Sequence, residues 1–287
     1  MYSYNDLLAD LPRFEKAGAE VSYIGASVTG RMIPAVHIGN YCGAQTVIQS
    51  AIHGREHITA KLAAMQIFHI LQHFTKVPEA QGGIYFVPMS NPDGVSLCQF
   101  GLNSVKNSCR AKFLLNVNGG NPDFSLWKAN ANAVDLNCNF PARWGTGAEN
   151  VFMPAPENFV GEYAASEPET KALMKFTEKV CPALTISYHC KGREIYWQFH
   201  QTGARLERDR RVAEVFANLT GYALVDGDRG SAGGYKDWCV ECRGIPAVTI
   251  EIIDDKHKHP VPYGVLKDEF PLNKNIPKIA LVLARML

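Results

Sequence analysis

The sequence predicts an α/β layer sandwich, in which helices cover a β-sheet. Apolar strand-like runs alternate with segments of helical periodicity along the chain. Several of these runs are apolar at every position, as in strands that are covered on both faces. Helices interleaved with such strands are typical of a layered α/β unit. The 287 residues, 46% of them hydrophobic, are enough for one large domain or two small ones.

The predicted elements follow one another in regular alternation. Strands are assigned where apolar and often β-branched residues run together, and helices where apolar residues recur at helical spacing. In chain order, the first half has a helix at 4–17, strands at 35–38 and 46–51, a helix at 58–73 and a strand at 83–89. The second half has helices at 167–180, 205–221 and 276–286, and strands at 183–188, 195–198 and 247–253.

The composition argues against several classes of function. The 29 basic and 28 acidic residues leave a formal net charge of +1, so nothing indicates a nucleic acid partner. No stretch of about 18 apolar residues could span a membrane. The N-terminal segment contains acidic residues and no uninterrupted apolar core, unlike a secretory signal. We therefore expect a cytoplasmic protein, with release by an unconventional route as the alternative.

Residues that can bind a metal occur at the ends of three predicted strands. His53 and Glu56 follow the strand at 46–51, His189 ends the segment PALTISYH, and Glu251 lies in AVTIEII. One turn at a strand–helix junction can bring His53 and Glu56 together. Two imidazoles and one carboxylate suit a catalytic zinc, which keeps a fourth position for water. We therefore predict that His53, Glu56 and His189 bind one Zn²⁺ ion per chain. A carboxylate outside the metal shell is needed as general base, and Glu251 is the candidate.

The His-x-x-Glu pair alone would be a weak signal. His53 can also be a loop-packing residue, and Glu56 a helix N-terminal carboxylate that the helix dipole favours. His189 and Glu251 favour the metal site over this packing interpretation. Glu251 interrupts an apolar strand, where an unpaired buried carboxylate would be costly. Polar residues at the ends of three otherwise apolar strands of one sheet are difficult to attribute to packing alone.

Several segments, in order along the whole chain, resemble the zinc carboxypeptidase family. HGREH and SYH resemble its metal-binding segments, and TIE resembles the segment of its general base. SVTGRMIP and NPDG resemble structural segments, and VDLNCNFPARW resembles a substrate-binding segment. The resemblance implies a three-layer α/β/α sandwich with a mixed sheet of about eight strands. It also implies a single zinc peptidase catalytic domain over residues 1–287.

The chain more closely resembles one bacterial branch of this family, the γ-D-glutamyl-meso-diaminopimelate peptidases. The segments that carry this resemblance are WKANANAVDLN, WGTGAENVFMPAPENFVG, SEPET, SYHCKGREIYW and SAGGYKDW. Members of this branch cut the peptide stem of the bacterial cell wall between γ-linked D-glutamate and the diamino acid. The resemblance therefore implies a peptidoglycan stem peptide or muropeptide as substrate.

Two arginines of typical family members are missing from the corresponding motifs. Where those members have Asn-Arg, this chain has Asn137-Cys138, and cysteine cannot form the bidentate pair that arginine forms with a carboxylate. A second family arginine, which helps to polarise the scissile carbonyl, aligns with Asn132, which can donate only a neutral hydrogen bond. Removal of an ordinary C-terminal amino acid is therefore disfavoured. Both losses are similar to those of the diaminopimelate branch.

Charged and polar residues near the motifs are candidates for binding an ionic substrate. Lys191 and Arg193 follow the predicted ligand His189 closely, so they lie near the metal by connectivity. The predicted substrate-binding residues are Asn132, Asn137, Arg143, Lys191, Arg193 and Lys236, with Arg229, Glu194 and Asp237 as further charged candidates. Each of these charges could instead be a solvated surface residue.

The leading hypothesis is a zinc-dependent peptidase that hydrolyses the bond between γ-D-glutamate and the diamino acid of stem peptides. A non-catalytic muropeptide-binding protein is one alternative, but the complete set of ligands and base argues against it. A zinc-dependent N-deacylase of acyl-amino acids is another, and the diaminopimelate-like segments argue against that. The sequence does not tell diaminopimelate from lysine in the substrate, and it does not predict the oligomeric state.

Overall fold

The computed structural model describes residues 1–73 and 82–287. Its strands are β1 (Glu20–Ala26), β2 (Met32–Gly39), β3 (Gln45–Ser50), β4 (Gly83–Val87), β5 (Leu184–Cys190), β6 (Glu194–Tyr196), β7 (Ala223–Val225) and β8 (Ala247–Ile252). Its helices are α1 (Tyr4–Lys16), α2 (Ile58–His73), α3 (Pro92–Phe100), α4 (Ser108–Val117), α5 (Pro168–Val180), α6 (Gly203–Thr220), α7 (Tyr235–Asp237), α8 (Leu266–Asn273) and α9 (Ile276–Ala284). In the described part of the chain, no helix has the length and apolar character to cross a membrane.

The described strands form one mixed eight-stranded sheet in the order β1-β2-β4-β3-β5-β8-β6-β7. Strands β4, β3, β5 and β8 are parallel neighbours at its centre. Antiparallel pairs join β1 to β2, β2 to β4, and β6 to β8. The predicted mixed sheet of about eight strands is therefore confirmed.

Helices pack against both faces of this sheet. On one face, Ile48 of β3 belongs to a buried cluster that includes Leu62 of α2. On the other face, its neighbour Val47 belongs to a separate cluster that includes Leu173 of α5. Consecutive side chains of a strand point to opposite faces, so β3 needs apolar residues at both positions. This arrangement is the predicted three-layer α/β/α sandwich.

Several elements of the structure were not predicted from the sequence, and α3 shows one reason. Its first residues, Asn91-Pro92-Asp93-Gly94, have the composition of a turn. In the structure the Asn91 side chain accepts a hydrogen bond from the backbone N–H of Gly94 at 2.8 Å, and Pro92 is the first residue of the helix. Asparagine before a helix and proline at its first position are both favourable. The same residues therefore start a helix rather than reverse the chain.

Candidate metal centre

The predicted metal ligands and base lie at the carboxyl ends of three adjacent strands. His53 follows β3 and precedes a short 3₁₀ turn, Gly54–Glu56, which leads into α2. His189 is the penultimate residue of β5 and pairs in register with Glu251 of β8. Because β3, β5 and β8 are parallel, their carboxyl ends meet at one edge of the sheet, where open α/β sheets place their sites. The register of the sheet thus brings together residues that are far apart in the chain.

Three of these residues form a buried cluster with the geometry of a metal site. The Nδ1 atom of His53 lies 2.8 Å from Glu56 Oε1 and 3.2 Å from His189 Nδ1. The same His189 nitrogen lies 3.0 Å from Glu56 Oε2. Tetrahedral zinc with nitrogen and oxygen ligands at about 2.0–2.1 Å would space its ligand atoms roughly 3.3 Å apart. His53, Glu56 and His189 are therefore spaced so that one zinc ion could bind all three.

Asp135 lies behind His53 and orients its ring. The Oδ1 atom of Asp135 is 3.1 Å from His53 Nε2, and Oδ2 is 3.3 Å from Lys128 Nζ. Burial favours the neutral acid, but Lys128 and His53 outweigh it and hold the pKa of Asp135 well below its ordinary value. A carboxylate on the outer nitrogen of a ligand histidine fixes the ring and leaves the inner nitrogen for the metal. Asp135 is suited to this role for His53.

Glu251 lies beside the cluster and lines a cavity. Burial raises the pKa of Glu251 to about 8, an effect that His189 opposes and the Glu56 carboxylate reinforces. A carboxyl group with a pKa near neutrality can accept a proton and return it at the working pH. The location of Glu251, beside His189 and in the wall of the cavity, suits the predicted role of general base.

Two cavities adjoin the metal cluster and share a wall. The first, of about 250 Å³, contains Glu251. The second, of about 230 Å³, contains His53 and Lys128. The side chains that line both cavities are Asn137, Arg229, Ser231 and Asp237. A substrate that bridges the two cavities would therefore pass the metal cluster and the candidate base.

The predicted substrate-binding residues fall into two groups. Asn137 lines both cavities, and Lys236 lines the first. The other three cations line neither cavity, and each is paired with a carboxylate: Arg143 with Glu241 at 2.8 Å, Lys191 with Asp255 at 2.8 Å, and Arg193 with Glu269 at 2.6 Å. Closeness in sequence to His189 thus did not bring Lys191 and Arg193 into the cavities.

The structure replaces Asn132 by Lys128 as the candidate for polarising the scissile carbonyl. Asn132 lines neither cavity; its Oδ1 accepts a hydrogen bond from Arg110 at 2.6 Å, and its Nδ2 donates to Glu167 at 2.9 Å. Lys128 instead lines the second cavity, with its side chain only 17% exposed. The sequence analysis missed Lys128 and Asp135. A signal for Lys128 existed, because it is the only Lys or Arg between residues 113 and 142.

Comparisons with known sequences identify the family. A family model described as Zinc carboxypeptidase matches residues 4–280. Gamma-D-glutamyl-L-diamino acid endopeptidase 1 of Lysinibacillus sphaericus is 30% identical over 265 residues, which are 88% of this chain and 65% of that protein. Murein peptide amidase A of Escherichia coli K12 is 39% identical over 72 residues, 22% of this chain and 28% of that protein. The chain thus matches less than two thirds of the length of these relatives.

Solved structures share the fold. Carboxypeptidase A from Helicoverpa armigera superposes with a TM-score of 0.76 at 20% identity, covering 99% of this chain and 73% of that one. Murein-tripeptide amidase from Escherichia coli O157 superposes with a TM-score of 0.56 at 22% identity, covering 94% and 95%. At these identities the structures establish the fold, and the match over residues 4–280 adds the sequence relationship. The chain belongs to the zinc carboxypeptidase family.

Proposed function

We propose that this protein is a zinc-dependent peptidase that hydrolyses the amide bond between γ-D-glutamate and the diamino acid of peptidoglycan stem peptides. The observation that carries the proposal is the buried cluster of His53, Glu56 and His189 beside the cavity that contains Glu251. A relative that is 30% identical is named as an endopeptidase for γ-D-glutamyl-L-diamino acid bonds, which supports the choice of bond.

The chemistry divides between the metal and the surrounding side chains. His53, Glu56 and His189 would hold one zinc ion, which when bound polarises the scissile carbonyl and lowers the pKa of water. Glu251 accepts the proton of the attacking water and later gives it to the leaving amine. Lys128, held by Asp135 at 3.3 Å, offers its ammonium group to the negative charge that develops on the carbonyl oxygen.

The first cavity suits a substrate with charges of both signs. Its lining includes Arg229 and Lys236 as cations and Asp228 and Asp237 as carboxylates. A diaminopimelate residue carries carboxylates and an ammonium group, which such groups can bind through charged hydrogen bonds. An apolar side chain would remove water from these charges without replacing its hydrogen bonds, which is costly. The charge pattern therefore favours the diamino acid over an apolar residue.

The second cavity argues against an ordinary carboxypeptidase. Cys138 lines it at the position where typical family members have the arginine that clamps a C-terminal carboxylate. Burial raises the pKa of the Cys138 thiol, and the Asp135 carboxylate adds to this effect, so the thiol stays neutral. A neutral thiol is a weak hydrogen-bond donor and cannot replace that clamp.

The proposal is tested by mass analysis of the products from L-Ala-γ-D-Glu-diaminopimelate, with zinc and with a chelator. We expect L-Ala-D-Glu and free diaminopimelate, and no products once the metal is removed. Zinc binding without cleavage of any stem peptide would favour the muropeptide-binding alternative. Cleavage of acyl-amino acids alone would favour the deacylase.

A further inference from the structure

Arg229 differs from the other candidate cations near the metal cluster because no carboxylate of the described residues pairs with it. It lines both cavities, and its side chain is exposed. Within residues 1–73 and 82–287, its guanidinium group makes no ion pair or hydrogen bond with the protein. The remaining candidate cations are all paired: Lys128 with Asp135, Lys236 with Asp237, Arg143 with Glu241, Lys191 with Asp255, and Arg193 with Glu269.

The hydrogen-bonding capacity of the two cations in the first cavity is therefore unequal. Lys236 Nζ lies 2.6 Å from Asp237 Oδ1 and donates to the carbonyl oxygen of Gln198 at 3.0 Å. Because the Asp237 carboxylate already neutralises its charge, the ammonium group of Lys236 attracts a further carboxylate less strongly. A guanidinium has five donors in a planar fork, and within the described residues none of those of Arg229 is used. Arg229 is thus the cation of this cavity that is best able to bind a carboxylate of the substrate.

The loop that carries Arg229 is fixed on both sides of it. Gln198 accepts a hydrogen bond from the backbone N–H of Gly227 at 2.8 Å. Asp228 lies 3.2 Å from His200 Nε2, and the carbonyl oxygen of Gly230 accepts from the N–H of Ala148 at 2.8 Å. These contacts hold the backbone next to the cavities, while the Arg229 side chain forms no hydrogen bond or ion pair with the described residues. Binding a carboxylate would therefore not require any existing bond of Arg229 to break.

We infer that Arg229 binds the carboxylate at the far end of the diaminopimelate side chain and so distinguishes this residue from lysine. The inference rests on the proposed function. Diaminopimelate ends in a carbon that bears an ammonium and a carboxylate, whereas lysine ends in an ammonium alone. A guanidinium binds a carboxylate through two parallel hydrogen bonds and repels a lone ammonium. The first cavity also contains Asp228, next to Arg229 in the chain, and its carboxylate suits the ammonium on the same terminal carbon.

The test compares L-Ala-γ-D-Glu-diaminopimelate with L-Ala-γ-D-Glu-L-Lys, which lacks only the far carboxylate. We expect the zinc-loaded protein to prefer the first peptide in kcat/KM by about 10- to 100-fold, the worth of a charged hydrogen-bonded pair. Arg229→Gln should lose this preference by slowing on the diaminopimelate peptide alone. Arg229→Lys should keep part of it, because lysine supplies the charge without the fork. Arg210→Gln, at an arginine of α6 that lines neither cavity and pairs with Glu214 at 3.0 Å, should keep all of it.

The outcomes separate this inference from the proposed function. If Arg229→Gln retains the preference, or if the unaltered protein cleaves both peptides equally well, the inference is overturned and the proposed function stands. If the unaltered protein cleaves neither peptide, the proposed function fails and the inference fails with it. Thermal unfolding of each variant is measured first. If Arg229→Gln is unstable, Arg229→Lys takes its place in the test. An undiminished preference for the diaminopimelate peptide in Arg229→Lys would then contradict the bidentate binding by the guanidinium.

Discussion

Asp135→Asn tests whether the metal cluster depends on the carboxylate behind it. Asp135 is completely buried and is approached by four donors: His53 Nε2 at 3.1 Å, Lys128 Nζ at 3.3 Å, and the backbone N–H groups of Asn137 and Asn158, both at 3.1 Å. Asparagine keeps the shape of the side chain but has no negative charge. It also presents one acceptor oxygen in place of two.

The expected loss can be worked from these contacts. Loss of an outer carboxylate typically weakens metal binding by about 10- to 100-fold, which is about 1.4 to 2.7 kcal/mol. The amide nitrogen must also face two of the four donors, and each unsatisfied buried donor costs about 1–3 kcal/mol of folding stability. Asp135→Asn should therefore reduce both zinc affinity and the free energy of unfolding.

Asp209→Asn provides the matched control. Asp209 is also buried, pairs with Arg208 at 2.8 Å and accepts from Gln201 at 3.1 Å, but it lies on α6 and not among the residues of the metal cluster. Zinc affinity is measured by competition with a chromophoric chelator above neutral pH, where protons compete least for His53. Both variants should lose stability, and only Asp135→Asn should lose zinc. Equal zinc affinity in Asp135→Asn and the unaltered protein would refute the role given to Asp135.

Three further predictions concern the base, the cation and a buried acid. Glu251→Gln should keep zinc bound, by metal analysis, yet lower kcat at least 100-fold; turnover at the parent rate would remove Glu251 from the mechanism. Lys128→Met should lower kcat by about 100-fold with little change in KM, and Lys128→Arg should restore part of the rate. If steady-state kinetics show a change in KM alone, Lys128 binds the substrate and does not stabilise the transition state. Burial raises the pKa of Glu169 to about 8, so the folded protein keeps a proton that the unfolded chain releases above its ordinary pKa of about 4.5. The contribution of Glu169 to the free energy of unfolding should therefore be greatest below about pH 4.5 and fall by up to about 5 kcal/mol as the pH rises towards 8. Urea unfolding at several pH values should show a weaker pH dependence for Glu169→Gln. An unchanged pH dependence would contradict the raised pKa of Glu169.

The metal cluster could be predicted because its residues interrupt patterns that are otherwise regular. His189 ends an apolar strand and Glu251 lies within one, and buried strands seldom contain such groups without a partner. The register between β5 and β8 places His189 beside Glu251. Once these two strands are assigned and paired, the relative position of the two residues follows. Elements without this contrast escaped the analysis. Strand β1 alternates irregularly between exposed and half-buried positions, and it therefore has no continuous apolar run to recognise.

The substrate-binding residues could not be predicted in the same way, because a charge in a loop has no periodicity that indicates its partner. Arg193 lies only four residues after His189, yet the Glu269 carboxylate of α8, 76 residues further along the chain, holds it. Asn132 and Lys128 are four residues apart, but only the lysine lines a cavity. For Arg193 and Asn132, a carboxylate distant in the sequence binds the polar side chain outside the two cavities.

The metal cluster and the substrate-binding residues are positioned by different parts of the fold. Substrate specificity can therefore change while the metal site stays the same. His189 and Glu251 are placed by the register of β5 and β8, and His53 and Glu56 by the turn that follows β3. Arg229, by contrast, lies on a loop whose anchors are Gln198, His200 and Ala148, none of them a metal ligand. A group that binds the far carboxylate can therefore be gained or lost on this loop without disturbing the metal ligands. On this argument, replacing the loop should alter which diamino acid is cleaved and leave zinc affinity unchanged. Loss of zinc in such a variant would show that the two parts of the site are coupled.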